Sequence, residues 1–135
     1  MAIQKSVAVR NARLDAIETA IGAGAILKIR TGAQPANCAA ADSGTVLATL
    51  TLPADWMAAA SGGVKAMAGT WQDGSADGTG TAGHYRIYAS DGTTCGSQGT
   101  VTATSGGGDM EVQNTSFATG QAFSVTSFSW IDANA

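Results

Sequence analysis

The chain has 135 residues, only 13 % of them charged, with 18 glycines and a formal net charge of −3. That length fits one domain with a single core, and the charged share is about half the usual one, so Thr, Ser, Asn, Gln and backbone must supply the polar surface. No run of eighteen apolar residues exists to span a membrane as a helix.

Charge is uneven along the chain. Residues 1–30 carry Lys5, Arg10, Arg13, Lys28 and Arg30 against Asp15 and Glu18, a balance of +3; the rest carries Lys65 and Arg86 against eight acids, a balance of −6. Five spread cations with no aromatic among them, ahead of an acidic body, argue against nucleic acid as a partner. The first residues lack a basic region followed by an apolar core, so the sequence predicts a cytoplasmic product without a secretion signal.

Within residues 11–21, Leu14, Ile17 and Ile21 fall at i, i+3 and i+7, with Val7 one step earlier, and so line one stripe of a helix that Gly22 and Gly24 end. Its charges oppose the macrodipole: Arg10 and Arg13 lie toward its positive end, Asp15 and Glu18 toward its negative end. A helix of this length is marginal in water, so either the rest of the domain or another protein must hold it.

Residues 25–30 then alternate Leu27 and Ile29 with Lys28 and Arg30, as a half-buried strand does. Residues 31–43, small and Ala-rich, read as a long loop. Residues 45–52 give the clearest strand, with Val46, Ala48, Leu50 and Leu52 on one face and Pro53 ending it. Residues 53–60 read as one helical turn carrying Trp56 and Met57 as core plugs. Alternation returns in residues 64–71. Residues 72–83 read as a glycine-rich loop, and residues 84–90 as a strand with Tyr85 and Ile87 on one face and His84, Arg86 and Tyr88 on the other. Asp91-Gly92 signals a turn. Strands follow at 98–104, 110–113 and 121–131; in the last, the apolar face changes between Val125 and Phe128, which predicts a bulge near Thr126. Seven or eight short strands at this rhythm behind one helix predict a mainly β fold, an antiparallel β-sandwich or jelly roll.

No reaction centre is visible. The single histidine, His84, reads as a surface or inter-strand residue, and no nucleophile, base and orienting group are spaced for catalysis. Cys38, Cys95 and His84 supply at most three zinc ligands without a C-x-x-C spacing. The acidic stretch from Asp73 to Gly80 lacks the alternating acids and closing Glu of a calcium loop and reads as a solvated turn. Gly106-Gly-Gly108 has no Lys-Ser/Thr after it and takes no phosphate role. No cofactor is expected. Trp56, Trp71, Trp130, Tyr85 and Tyr88 are read as core, with a sugar-stacking platform as the alternative. Cys38 and Cys95 are free thiols by default in a cytoplasmic product, with pairing left for geometry to decide.

The phrase Arg10-Asn-Ala-Arg-Leu-Asp-Ala-Ile-Glu-Thr-Ala-Ile-Gly22, the strand Leu27-Lys-Ile-Arg-Thr-Gly32, the loop with Cys38, and the block from Gly69-Thr-Trp-Gln-Asp73 to Gly83-His-Tyr-Arg-Ile-Tyr88 resemble small virion proteins of tailed bacteriophages and prophages. The resemblance implies a capsid decoration, or cement, protein without enzymatic activity, on the outer surface of the phage head. Its implied partners are the major capsid protein and further copies of itself, as a dimer or trimer, with no nucleic acid and no membrane. On this reading residues 1–24 form a basic docking arm and residues 25–135 the β-sandwich domain. The arm meets capsid or a sister subunit through Val7, Leu14, Ile17 and Ile21, with Lys5, Arg10 and Arg13 facing acidic lattice. The alternatives are a tail or fibre component that recognises the host surface and a carbohydrate-binding β-sandwich module.

Overall fold

Ser6 precedes fifteen residues free of glycine and proline. In the computed structural model, which describes residues 2–134, its hydroxyl accepts the Val9 amide at 3.2 Å and caps helix α1 (Val7–Ile21). Gly22, at φ 93°, ends the helix and donates its amide to the Glu18 carbonyl at 2.8 Å. The helix therefore starts four residues before the expected stretch. Leu14 and Ile21 are buried and Ile17 packs on the core, but Val7 is 47 % exposed, so the apolar stripe does not extend back to it.

Nine strands follow: β1 (Ile26–Thr31), β2 (Val46–Thr51), β3 (Val64–Ala66), β4 (Gln72–Asp73), β5 (Gly80–Tyr88), β6 (Cys95–Ala103), β7 (Met110–Val112), β8 (Ser116–Phe117) and β9 (Phe123–Ile131). The fold is mainly β with one N-terminal helix, as expected. Hydrogen bonding runs through one curled sheet in the order β2-β1-β5-β6-β7-β9-β3, with β4 added on β9 and β8 on β5. The sheet is mixed: β6 and β7 pair in parallel, a departure from the antiparallel expectation, and every other pair is antiparallel.

Two bulges adjust which residues face inward. Opposite β1 the register steps from Ala48 to Val46, so Leu47 is the extra residue, and it is buried although strict alternation places it with the threonines. Opposite β7 the register steps from Ser127 to Val125, which leaves Thr126 unpaired where the sequence predicts a bulge, and Val125 and Phe128 are both buried.

The stretch at residues 53–60 is not helical. The Ala58 amide donates to the Ala66 carbonyl at 2.8 Å, and Met57 bridges Met67, so this segment runs antiparallel beside β3. Burying Trp56 and Met57 side by side outweighs the helix propensity of three alanines. The residues assigned to a loop at 72–83 also contribute β4 and the start of β5.

The core is aromatic at its centre. Trp56 lies 6.0 Å from Trp71 and 5.6 Å from Trp130, and Phe128 lies 5.5 Å from Trp71 and 5.3 Å from Tyr85, ring centre to ring centre. Trp56, Trp71, Tyr85 and Tyr88 are buried, so they form no sugar-stacking platform. β5 lies between β1 and β6, and from His84 to Tyr88 it is buried on both faces. One face meets this core; the other is covered by residues 32–45, the strap that joins β1 to β2.

Candidate interaction surface

What holds α1 is its own domain. On β3, Lys65 shares the inward face with Met67 and is 2 % exposed. Its ammonium lies 2.8 Å from Asp15 Oδ1 and 2.9 Å from Glu18 Oε2, and donates to the Ala58 carbonyl at 2.9 Å. The same acids also accept backbone amides, Asp15 from Ala60 at 3.0 Å and Glu18 from Met57 at 3.1 Å. Asn11 accepts the Gly63 amide at 2.9 Å. The bond from Lys65, followed by the Ala60 amide, holds the Asp15 carboxyl below its ordinary range. Burial opposes the charge on Lys65, but the two acids more than offset it and raise its pKa.

The basic end is anchored to Asp132. Lys5 Nζ lies 3.2 Å from Asp132 Oδ1, Arg13 Nη1 lies 3.0 Å from Oδ2, and Arg10 Nη1 donates to the Asp132 carbonyl at 3.0 Å. Two cations thus meet the Asp132 carboxylate and a third its backbone carbonyl, and the Arg13 side chain stays 60 % exposed. Of the seven residues proposed for the arm, Leu14 and Ile21 are spent on the domain's own core, Arg10 and Lys5 are tied to residue 132, and Val7 stands apart in solvent.

Arg13, Leu14 and Ile17 do come together. They line an open groove whose opposite wall is Trp130, Ile131, Asp132 and Ala133 at the end of β9. A second open groove, on the far side of Trp130 and Ile131, is walled by Tyr85, Gln98, Asp109 and Ser129. Ile131 is 69 % exposed on the ridge between them, and its ladder partner Val64 is 39 % exposed. As cross-strand partners the two side chains share one face of the sheet and form a small exposed aliphatic patch. Sequence reasoning missed this ridge. The signal was the run Trp130-Ile131-Asp132, where three different side-chain chemistries follow one another at the end of a strand.

The strap builds a second cluster, on the other face of β5. Asp42 accepts from Arg86 Nη1 at 2.6 Å, Arg30 Nη2 at 3.0 Å and the Tyr88 hydroxyl at 2.6 Å. Burial alone would raise the Asp42 carboxyl, but the bonds from Tyr88 and Arg86 and the charges of both arginines hold it below its ordinary value. Arg86 Nη2 also donates to the carbonyls of Asn37 and Ala40, and Gln98 Nε2 to that of Pro35. His84, read as a surface or inter-strand residue, is fully buried and donates from Nδ1 to the Gly32 carbonyl at 2.9 Å. Gly83 lets the strap lie this close, because a Cβ there would overlap that same carbonyl. Every cation in this cluster faces a carboxylate or a carbonyl, an arrangement that fastens a loop.

The acidic turn is closed on itself, Asp73 Oδ1 accepting the Ser75 amide at 2.9 Å. Among the described residues no three His, Cys, Asp or Glu side chains converge to hold a metal ion, and no helix is long and apolar enough to cross a membrane. Comparison of the chain with protein-family models, curated proteins and solved structures gives no match.

Proposed function

We propose that this chain is a non-enzymatic virion structural protein, a decoration or cement protein that binds the outer surface of a phage head and bridges neighbouring major capsid subunits. The supporting observation is the Trp130-Ile131 ridge, which sets an exposed aliphatic residue on a strand beside a groove that carries the Arg13–Asp132 ion pair. The resemblance of the helix and strand phrases to tailed-phage virion proteins supplies the partner. The docking surface differs from the arm expected from sequence. Arg13, Leu14 and Ile17 contribute one groove wall while the helix stays packed on its own domain, and the half-exposed Arg13 guanidinium is the cation that meets acidic lattice. A low-charge surface suits a protein that works against neighbours. Several copies, as dimers or trimers, multiply modest contacts into firm attachment.

Heads assembled without the protein provide the test. Wild-type chain added to them should co-sediment, and Ile131→Asp and Arg13→Ala should each lower occupancy at least about tenfold while melting within about 3 °C of wild type, since Ile131 faces solvent and the exposed Arg13 leaves Asp132 still paired with Lys5. Occupancy unchanged in both variants would remove the ridge from the interface. Binding to host cells instead of heads would favour the tail or fibre reading.

A further inference from the structure

Cys38 and Cys95 are 57 positions apart in sequence, yet their sulfur atoms lie 2.7 Å apart, and both residues are half-buried free thiols. The surrounding backbone sets this meeting independently of the sulfurs. Arg86 Nη2 grips the Asn37 and Ala40 carbonyls at 2.9 and 3.1 Å, one on each side of Cys38, and so pins that turn of the strap over β5. Cys95 opens β6 directly opposite Tyr88, at the point where the β5–β6 register shifts. A buried guanidinium and a ladder position thus bring the two segments together, and the bond from Gln98 Nε2 to the Pro35 carbonyl ties the strap to β6 as well.

We propose that Cys38 and Cys95 are a redox-responsive pair, which a small-molecule disulfide such as oxidised glutathione converts into an intramolecular disulfide that locks the strap onto the sheet. The Cys38 thiolate attacks one sulfur of oxidised glutathione; the glutathione S–S bond breaks, and one glutathione thiolate leaves and takes up a proton. The Cys95 thiolate then attacks Cys38 Sγ, forms the protein disulfide and releases the second glutathione. The protein loses two protons and two electrons, and glutathione disulfide gains them. The order follows from the surroundings. Burial first, and Cys38 second, push the Cys95 thiol up to about 12, so it is the poorer initial nucleophile. Once Cys38 is in the mixed disulfide the hydrogen bond that holds the Cys95 proton toward Cys38 is lost, and that part of the penalty on Cys95 goes with it. Access to Cys38 comes from its half-buried place on the strap between the exposed residues Asn37 and Ala39, while Cys95 lines a shallow cleft between the end of α1 and the β5–β6 turn.

The effect is a closed loop spanning the 57-position separation, which constrains the unfolded chain and secures the segment that covers Arg30, Arg86 and His84.

The test uses the purified full chain, reduced and then exposed to excess oxidised glutathione. Free thiols are alkylated after denaturation and counted by mass, and melting is followed in parallel. The expected result is a monomer lighter by two hydrogens, with both thiols protected and a melting temperature at least about 5 °C above that of the reduced chain. Cys38→Ser and Cys95→Ser should each melt like reduced wild type and show no such rise with oxidant. Thiols that stay free, a glutathione adduct that persists on one cysteine, or disulfide-linked dimers would each overturn the proposal. So would an intramolecular disulfide that leaves melting unchanged.

Discussion

Lys65→Met is expected to lower the melting temperature by about 10 °C at neutral pH. Methionine keeps the unbranched stem that packs beside Met67, so the substitution removes little beyond the ammonium. That ammonium joins Asp15, Glu18 and the Ala58 carbonyl from a position 2 % exposed. Without it two carboxylates one helical turn apart face the same hole. Breaking a buried pair commonly costs 3–5 kcal/mol; here water reaches the Asp15 side chain, which is 48 % exposed, whereas Glu18 is 17 % exposed. The low end, about 3 kcal/mol, is therefore the expected loss. Its pH dependence has a fixed sign. Asp15 titrates below its ordinary 3.8 in the folded chain, so its contribution is present above 3.8 and fades as pH falls through the lowered value. Lys65 titrates above its ordinary 10.5, so its contribution is complete below 10.5 and fades as pH rises through the raised value. The difference between wild type and Lys65→Met should be widest between those limits and should narrow in acid, as the Asp15 contribution is lost. Melting curves at pH 3 and pH 7 measure this; an equal difference at both would mean that the ion pairs are not what seats the helix.

The same cluster explains a feature of the sequence that helix physics alone makes puzzling. Arg10 and Arg13 early in α1, with Asp15 and Glu18 late, oppose the macrodipole at a few tenths of a kcal/mol each. In the folded chain the early cations meet Asp132 and the late acids meet Lys65. Buried pairing outweighs the dipole, so the reversed pattern was the trace of a specific seat on the domain. The sequence left open whether the domain or another protein holds the helix, and the missing fact was the partner's position: Lys65 sits in an alternating strand where a lysine ordinarily points to water. Its sharing a face with Met67 was the available clue.

Elsewhere legibility followed local regularity. The positions of β2 and β9 were legible because apolar residues largely alternate in their sequences, and the change of face between Val125 and Phe128 located the Thr126 bulge from sequence. The extended segment at residues 53–60 did not read, because three alanines favour a helix locally while Trp56 and Met57 are claimed by the core and by pairing beside β3. The strap was invisible for a different reason. Its residues are small and carry one acid, Asp42, while the groups that hold it are spread over β1, β5 and β6. The polar side of β5, with His84, Arg86 and Tyr88, therefore read as a solvent face. The Trp130-Ile131 ridge was hidden similarly, since only the folded chain sets Ile131 beside Arg13 and Ile17.

Asp42→Asn should be nearly as damaging as Lys65→Met, with melting lowered by about 8–10 °C and the strap opened to proteolysis. Asparagine keeps the shape and one acceptor oxygen but removes the carboxylate that, among the described residues, pairs with both Arg30 and Arg86, which are 7 % and 2 % exposed. Two buried guanidiniums would then be left to carbonyls and to Gln98, and their mutual repulsion would be uncompensated. Because Asp42 titrates below 3.8, its share of stability is present above that value and lost as pH falls through the lowered one, so the variant's acid limb should be flatter than wild type's. Arg86→Met made in the Asp42→Asn background supplies the cycle: removing one stranded cation should recover part of the loss, with a coupling of about 1 kcal/mol or more. Additive losses would show that Asp42 and Arg86 stabilise the strap separately. In that case the pinning of Cys38 would rest on the Asn37 and Ala40 carbonyls alone, and the response of the thiol pair to oxidant should survive Asp42→Asn unchanged.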